Sequence, residues 1–413
     1  MLPILLNKNV LWLFIGRLIT NIGDSLYYVA SMWLVFTLSD SSFYTGLAGF
    51  LILLPKALQF LTGPFVDRWA IKKTLVITQL LQAVLICLLP LAYAVDMLTV
   101  PFILTVMPLI ACIEEFAYPS QTKALPLLVE KERLVDANGL FSFAYQGVDL
   151  LCNALAGMLV MLVGAVTVYL IDSVTFAIAA LCFSLVTIPA KRRMTTDKPT
   201  MTAAAKSYAK DLREGFSVVF RSFMYIFLIG STMVNLCIGM SMAVMPAFSS
   251  SYGGAEMYGG MQAAMAGGSL IGALLGSVLG KYNIGVAAIL SFFLGGVAWM
   301  TAALVPIPTV TIICFALAWI PMGAVNVLLA GVTQSMIPNR LLGRVNSVMT
   351  SMSVVSMPIG SLAGGYLATL MGSHLLFTLS GTGLFAIAVV WLLHPTLRQL
   401  PKAKEMEPST FGF

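Results

Sequence analysis

Gly63-Pro64-Phe65-Val66-Asp67-Arg68-Trp69-Ala70-Ile71-Lys72-Lys73 is the stretch whose reading decides the fold. It gathers one acidic and three basic side chains between two apolar runs, 43–64 and 74–95. A helix needs about 20 predominantly apolar residues to cross a bilayer, and each flanking run is that long. The charged stretch is therefore a loop on one face of a membrane. Working outward, further runs of the same kind fall at 10–37, 99–120, 139–163 and 165–188. After a polar stretch they resume at 223–248, 257–280, 284–305, 308–331, 346–371 and 373–393. The expected fold class is an all-α integral membrane protein of twelve transmembrane helices.

Composition points the same way. Hydrophobic residues make up 59% of the 413 and charged residues 10%, against roughly 25% charged in an average soluble domain. A soluble core cannot hide that much apolar surface, whereas a bilayer accepts it as solvent. The six cysteines, at 87, 112, 152, 182, 237 and 314, all lie in apolar stretches and show no metal-ligand spacing. With two histidines, His374 and His394, a His-based metal site or catalytic dyad is not expected, and no cofactor is implied. No phosphate-cradling loop or nucleophile motif appears, which argues against a membrane enzyme. A receptor or scaffold would carry a folded soluble appendage, and the longest polar segment is 189–222. No cleavable signal peptide is expected: the first apolar stretch is too long, carries charges and lacks a small-residue cleavage site.

Lysine and arginine set the orientation, because cytoplasmic loops retain them. Arg17 and Lys56 fall within spans. All the others lie in the termini or in alternate connections, such as Lys191-Arg192-Arg193 and Arg340 with Arg344. The opposite connections hold only Asp40, Asp96 and Glu256. Both termini are therefore expected in the cytoplasm, and the +6 net charge reflects this bias rather than nucleic-acid binding. The expected organisation is a six-helix bundle over 1–188, a cytoplasmic linker over 189–222, a second bundle over 223–394 and a cytoplasmic tail over 395–413. Within the linker, Tyr208 to Phe220 reads as an amphipathic helix at the membrane surface. The halves resemble each other as pseudo-repeats: Asn138 matches Asn346, Ala156-Gly157 matches Gly364-Gly365, and Gly164 matches Gly372.

The 63–73 loop, with its glycine, Asp-Arg pair and basic cluster between spans two and three, resembles the signature of the major facilitator superfamily. Gly16-Arg17 with Gly23-Asp24, Leu125-Pro126 before Ala137-Asn138, and Ile171-Asp172-Ser173 with Thr175-Phe176 are similar to its macrolide-efflux and multidrug proton-antiporter branch. So are Gln334 with Pro338, and Gly343-Arg344-Val345. The resemblance implies two six-helix repeats that rock around a midplane site. It also implies a conformational latch of Gly63, Asp67, Arg68, Lys72 and Lys73. One departure stands out: antiporters of this family often carry Gly-Pro-x-x-Gly-Gly in span five, where this chain has Cys152-Asn153-Ala154-Leu155-Ala156-Gly157.

An ionisable group at membrane depth costs at least ~2.5–3.5 kcal/mol on insertion scales, so each needs a reason. All of them, Arg17, Asp24, Lys56, Glu114, Glu115, Asp149 and Asp172, lie in the first half. Helical spacing puts Arg17, Asn21, Asp24 and Tyr28 on one face of span one. Gln146, Asp149 and Asn153 share a face of span five, and Glu114, Tyr118 and Gln121 a face of span four. The proton-coupling or substrate-charge candidates are Asp24 first, then Glu114, Glu115, Asp149 and Arg17. Glu114 and Glu115 point about 100° apart, so one of them faces the interior. Asp172 and Lys56 read as structural. Candidate substrate contacts are Asn21, Tyr28, Tyr118, Gln146, Asn153, Asn235, Met240 and Asn326.

The second half offers methionines, Met233, Met240, Met242 and Met245 in span seven and Met257, Met261 and Met265 in span eight. They read either as an adaptable apolar wall or as gap-fillers. Gly268, Gly272, Gly276 and Gly280 form a small-residue ladder, read as either a sliding surface or static packing. The functional expectation is a proton-coupled exporter of amphipathic or cationic drug-like compounds. The alternative is a dedicated exporter of one metabolite, siderophore, peptide or lipid. Implied partners are a small-molecule substrate, protons and membrane lipid, with the protein a monomer in the cell membrane.

Overall fold

The computed structural model describes residues 5–59, 69–130, 133–134, 137, 140–141, 148–188, 213–214, 216–221, 224–337, 339–402 and 405. Among them, twelve helices have 16 residues or more. In chain order they are α1 (Lys8–Ser39), α2 (Ser42–Ala57), α3 (Ile71–Ala94), α4 (Val100–Leu128), α5 (Val148–Val163) and α6 (Ala165–Leu185). Then come α7 (Met224–Ser250), α8 (Gly254–Leu279), α9 (Ile284–Leu304), α10 (Pro308–Met336), α11 (Asn339–Met371) and α12 (Ser373–Leu393), closed by the single turn α13 (Pro395–Arg398). By length and composition, 8 of the described helices could cross a membrane: α3, α4, α6, α7, α9, α10, α11 and α12. Polar residues such as Arg17, Asn21 and Asp24 dilute the apolarity of α1. Helices α2 and α5 are described over 16 residues each.

Several helices run past the apolar runs that nucleate them. Helix α4 continues to Leu128, through Pro126, and α10 and α11 extend to Met336 and from Asn339. The stretch read as a loop between spans ten and eleven is thus largely helical among the described residues. A helix costs little to extend once nucleated, and polar side chains at its end can face water. Of the expected surface helix, 213–214 and 216–220 are helical, with Phe216 and Phe220 stacked 6.1 Å apart. The rest of 189–212 lies outside the described residues.

The chain divides into two compact units, Met1–Ser39 with Leu51–Lys206, and Asp40–Phe50 with Ser207–Phe413. In the first, α1 packs on α4, α5 and α6, α3 on α4 and α6, and α5 on α6. In the second, α7 packs on α8, α11 and α12, α9 on α10 and α12, α8 on α10, and α11 on α12. Two reversals are made by one glycine each: Gly164 between α5 and α6 at φ 80°, and Gly372 between α11 and α12 at φ 86°. Left-handed backbone is close to free for glycine and strained for most other residues. Asp40 and Asp96 are also left-handed, at φ 48° and 54°, which aspartate tolerates in tight turns.

The glycine ladder resolves as packing inside the second unit. Side chains at Gly268 and Gly272 would strike the backbone oxygens of Ala316 and Ile320, and one at Gly323 would strike that of Ser269. Small residues here let α8 and α10 meet backbone to backbone. Beside them, Trp299, Phe315 and Phe377 form an aromatic core with centroids 5.0–5.7 Å apart. The Trp299 indole donates to the Phe377 carbonyl at 3.0 Å. The segment after α12 also docks: Leu397 and Leu400 are buried, and the Ile284 and Gly285 amides donate to Pro401 and Leu400. These carbonyls satisfy the first amides of α9, which no helix can satisfy for itself.

Candidate functional site

Helix α1 organises the first unit by presenting two polar faces. The face expected from sequence carries Arg17 and Asn21, both 4% exposed, with Asp24 and Tyr28 half-buried. It meets α4: the Arg17 guanidinium carbon lies 5.8 Å from the centroid of the Tyr118 ring, within cation–π range. Glu114 and Glu115 differ as helical geometry requires. Glu115 is 6% exposed and accepts a side-chain hydrogen bond from Gln59, with Lys56 and Glu114 in electrostatic range. Glu114 is half-buried and reaches Tyr27 of α1 electrostatically. Lys56 also reaches Tyr28. Arg17, Asn21, Asp24 and Tyr28 thus share a unit with Lys56, Gln59, Glu114, Glu115 and Tyr118, where they can bind and relay charge.

The other face of α1 was not singled out from sequence. Gly16, Thr20, Gly23, Tyr27 and Ser31 recur at helical spacing and face α3, α4 and α6. The Thr20 hydroxyl is within donating distance of the Gly16 carbonyl (2.9 Å) and of Gln79 Oε1 (2.8 Å). Gln79 Nε2 donates to Gln82 Oε1 at 3.0 Å. Tyr27 donates to the Met107 carbonyl at 3.1 Å, and Tyr169 to Ser31 Oγ at 2.8 Å. Gln79, Gln82 and Asp172 are each 0% exposed. Each of the three has at least one hydrogen bond, as is expected where an unpaired polar group costs roughly 1–3 kcal/mol. The signal in the sequence was two glutamines within an apolar run, three residues apart.

The remaining candidates divide. Lys72 and Lys73 are exposed in the first turn of α3, while Gly63, Asp67 and Arg68 lie outside the described residues. So does Gln146, as do the side chains of Asp149 and Asn153. In the second unit, Asn235 is half-buried, and its Nδ2 donates to the Ser231 carbonyl at 2.9 Å. Met240 packs against Gly364 of α11, and Asn326 is exposed on α10. Met245, Met257 and Met261 are at most 2% exposed, so these three fill gaps between helices. Met233, Met240, Met242 and Met265 are half-buried. A cleft of about 300 Å³ in the first unit, lined by Trp33, Leu34, Tyr93 and Val163–Thr167, offers no carboxylate or amine. Among the described residues, no group of His, Cys, Asp and Glu could hold a metal ion.

Known proteins resemble this chain along nearly its whole length. The multidrug efflux pump Tap of Mycobacterium tuberculosis is 24% identical, with 93% of each chain covered. Macrolide efflux protein A of Streptococcus pyogenes is also 24% identical, over 93% of this chain and 95% of its own. Among solved structures, a bacterial homologue of the human lysosomal transporter Spinster superposes with a TM-score of 0.70 at 15% identity, covering 98% of this chain and 97% of that one. The nucleoside transporter NupG gives 0.69 at 13% identity, covering 93% and 99%. These likenesses make the fold that of a multi-pass membrane transporter rather than an enzyme. Residues 3–411 match the family described as transmembrane secretion effectors, and the chain belongs to that family of the major facilitator superfamily.

Proposed function

We propose that this protein is a proton-coupled exporter of amphipathic or cationic drug-like compounds, working by alternating access. The observation that carries the reading is the acid-bearing polar face of α1 and α4. Arg17, Asn21 and Glu115 are buried and Asp24 and Glu114 half-buried, beside the exposed Tyr118, and ionisable groups placed there serve no purpose in a passive scaffold. The efflux activities named for Tap and macrolide efflux protein A support the substrate class and the outward direction.

In this mechanism, protonation of Asp24, Glu114 or Glu115 competes with binding of a cationic substrate. Arg17 and Lys56 set the local charge. Rocking of bundles 1–188 and 223–394 carries the site between faces, with Asp149 and the latch at Gly63, Asp67, Arg68, Lys72 and Lys73 assisting the exchange. Twelve spans, with both termini in the cytoplasm and a monomer in the cell membrane, complete the picture. The recurrence of helix pairings supports the two-repeat reading: α1 on α5 and α6 is echoed by α7 on α11 and α12, and α3 on α4 and α6 by α9 on α10 and α12.

The test is drug-driven proton movement in proteoliposomes under an imposed pH gradient, with lipophilic cations and macrolides as probes. The intact protein should dissipate the gradient on drug addition, and Asp24→Asn should not. If folded protein responds to no compound, the multidrug reading falls and a dedicated exporter replaces it.

A further inference from the structure

The interior of the first unit holds a carboxyl group outside this proposed transport face. Asp172, midway along α6, is 0% exposed. The Thr175 hydroxyl is within donating distance of its Oδ1 (3.1 Å) and of its backbone carbonyl (2.7 Å). Oδ2 has no hydrogen-bond partner among the described residues. On α1, a side chain at Gly23 would come within 2.7 Å of Oδ1 and 2.8 Å of the Phe176 ring, so the backbone of α1 closes over the carboxyl. On α3, the Ala83 carbonyl accepts from Ser173 at 2.8 Å. Its neighbour Gln82 is equally buried, with Nε2 lacking a partner among the described residues.

The titratable groups around Asp172 are Tyr27 from α1, Glu114 from α4 and Tyr169 from α6 itself. Helix α3 presents the neutral Gln79 and Gln82. Helix α5 carries Cys152, which is buried, and Asp149, whose side chain lies outside the description. No lysine or arginine among the described residues pairs with the carboxyl. An ionised carboxylate in such surroundings requires several donors or a cation. One shared hydroxyl does not meet that demand, whereas a neutral acid fits it.

We propose that Asp172 is a proton-binding site of the first unit, occupied in this conformation and emptied when the α1–α6 contact at Gly23 opens during transport. The carboxyl O–H bond breaks, the proton passes to entering water, and the carboxylate keeps the electron pair. The Gln82 amide is the spare buried donor available to that carboxylate. The exchange rests on the reading of the chain as a proton-coupled transporter, but occupancy of the site can be read without transport.

Infrared spectra of the purified full chain in lipid, with isotope-labelled aspartate, read that occupancy. A protonated-carboxyl band should shift with the label, vanish in Asp172→Asn and change frequency in Thr175→Val. It should fade reversibly as the pH is raised. Absence of the band, or its survival unchanged in both variants, overturns the site. A band that never fades while the protein stays folded makes Asp172 a fixed structural acid and overturns the exchange. Thr175→Val keeps the assignment testable if Asp172→Asn does not fold. In proteoliposomes, drug-driven proton release should be lost in folded Asp172→Asn, and release equal to that of the intact protein overturns the exchange. Where intact protein moves no protons but its band titrates, the transport reading fails and the Asp172 site stands.

Discussion

Glu115 shows how far a single residue is legible from sequence. That a single member of the Glu114–Glu115 pair would turn inward follows from the angle between neighbours on a helix. Its bond from Gln59 and its nearness to Lys56 could not be read from sequence, because both partners come from a distant segment, Lys56 in α2 and Gln59 just beyond it. Lys56 has an exposed head, so the coupling to Glu115 is expected at the low end of the range for contacting residues, about 0.5–3 kcal/mol. Thermal unfolding of Glu115→Gln, Lys56→Met and the double variant measures it, and additive effects would exclude the interaction. Tyr118→Leu removes the ring beside Arg17. It should weaken binding of cationic probes through displacement of Arg17 while leaving the melting temperature within a few degrees of the intact protein, read by paired binding and melting curves.

At the scale of the helix, α8 makes a sharper prediction, because glycines on and off the ladder face different surroundings. Gly272 meets the backbone of α10, whereas nothing lies within 4 Å of a side chain placed at Gly267. Gly272→Leu should cost about 1–3 kcal/mol or more through overpacking, and Gly267→Leu should be tolerated. Size-exclusion profiles of detergent-solubilised protein after graded heating distinguish them, and equal tolerance would show that α8 and α10 are not in backbone contact. Gly372→Ala should lower the melting temperature through backbone strain of about 1–3 kcal/mol, since its φ of 86° suits glycine. The ladder itself was plain in the sequence. Whether it slides or locks was not, because the partner helix lies more than 40 residues away along the chain.

For the whole molecule, the charge bias of the connections predicts sidedness. In a cysteine-free background, Glu256→Cys should react with an impermeant maleimide on intact cells, and Lys281→Cys only after permeabilisation. The reverse pattern would invert the topology. The sequence by itself determined that the chain is a helical membrane protein, where most of its helices lie and which of them carry charge. Those properties depend on hydropathy, length and spacing along one segment at a time. It also exposed one polar face of α1, since charged residues in an apolar run admit no other reading. Only the tertiary structure decided that α1 has a second polar face, that the glycine ladder packs on α10, and that Asp172 is sealed beneath Gly23 with one oxygen unpartnered among the described residues. Each of these is a relation between side chains on different helices. Glycine, threonine, tyrosine and glutamine look alike along a span whether they fill space or hold a proton site, until the helices that surround them are in place.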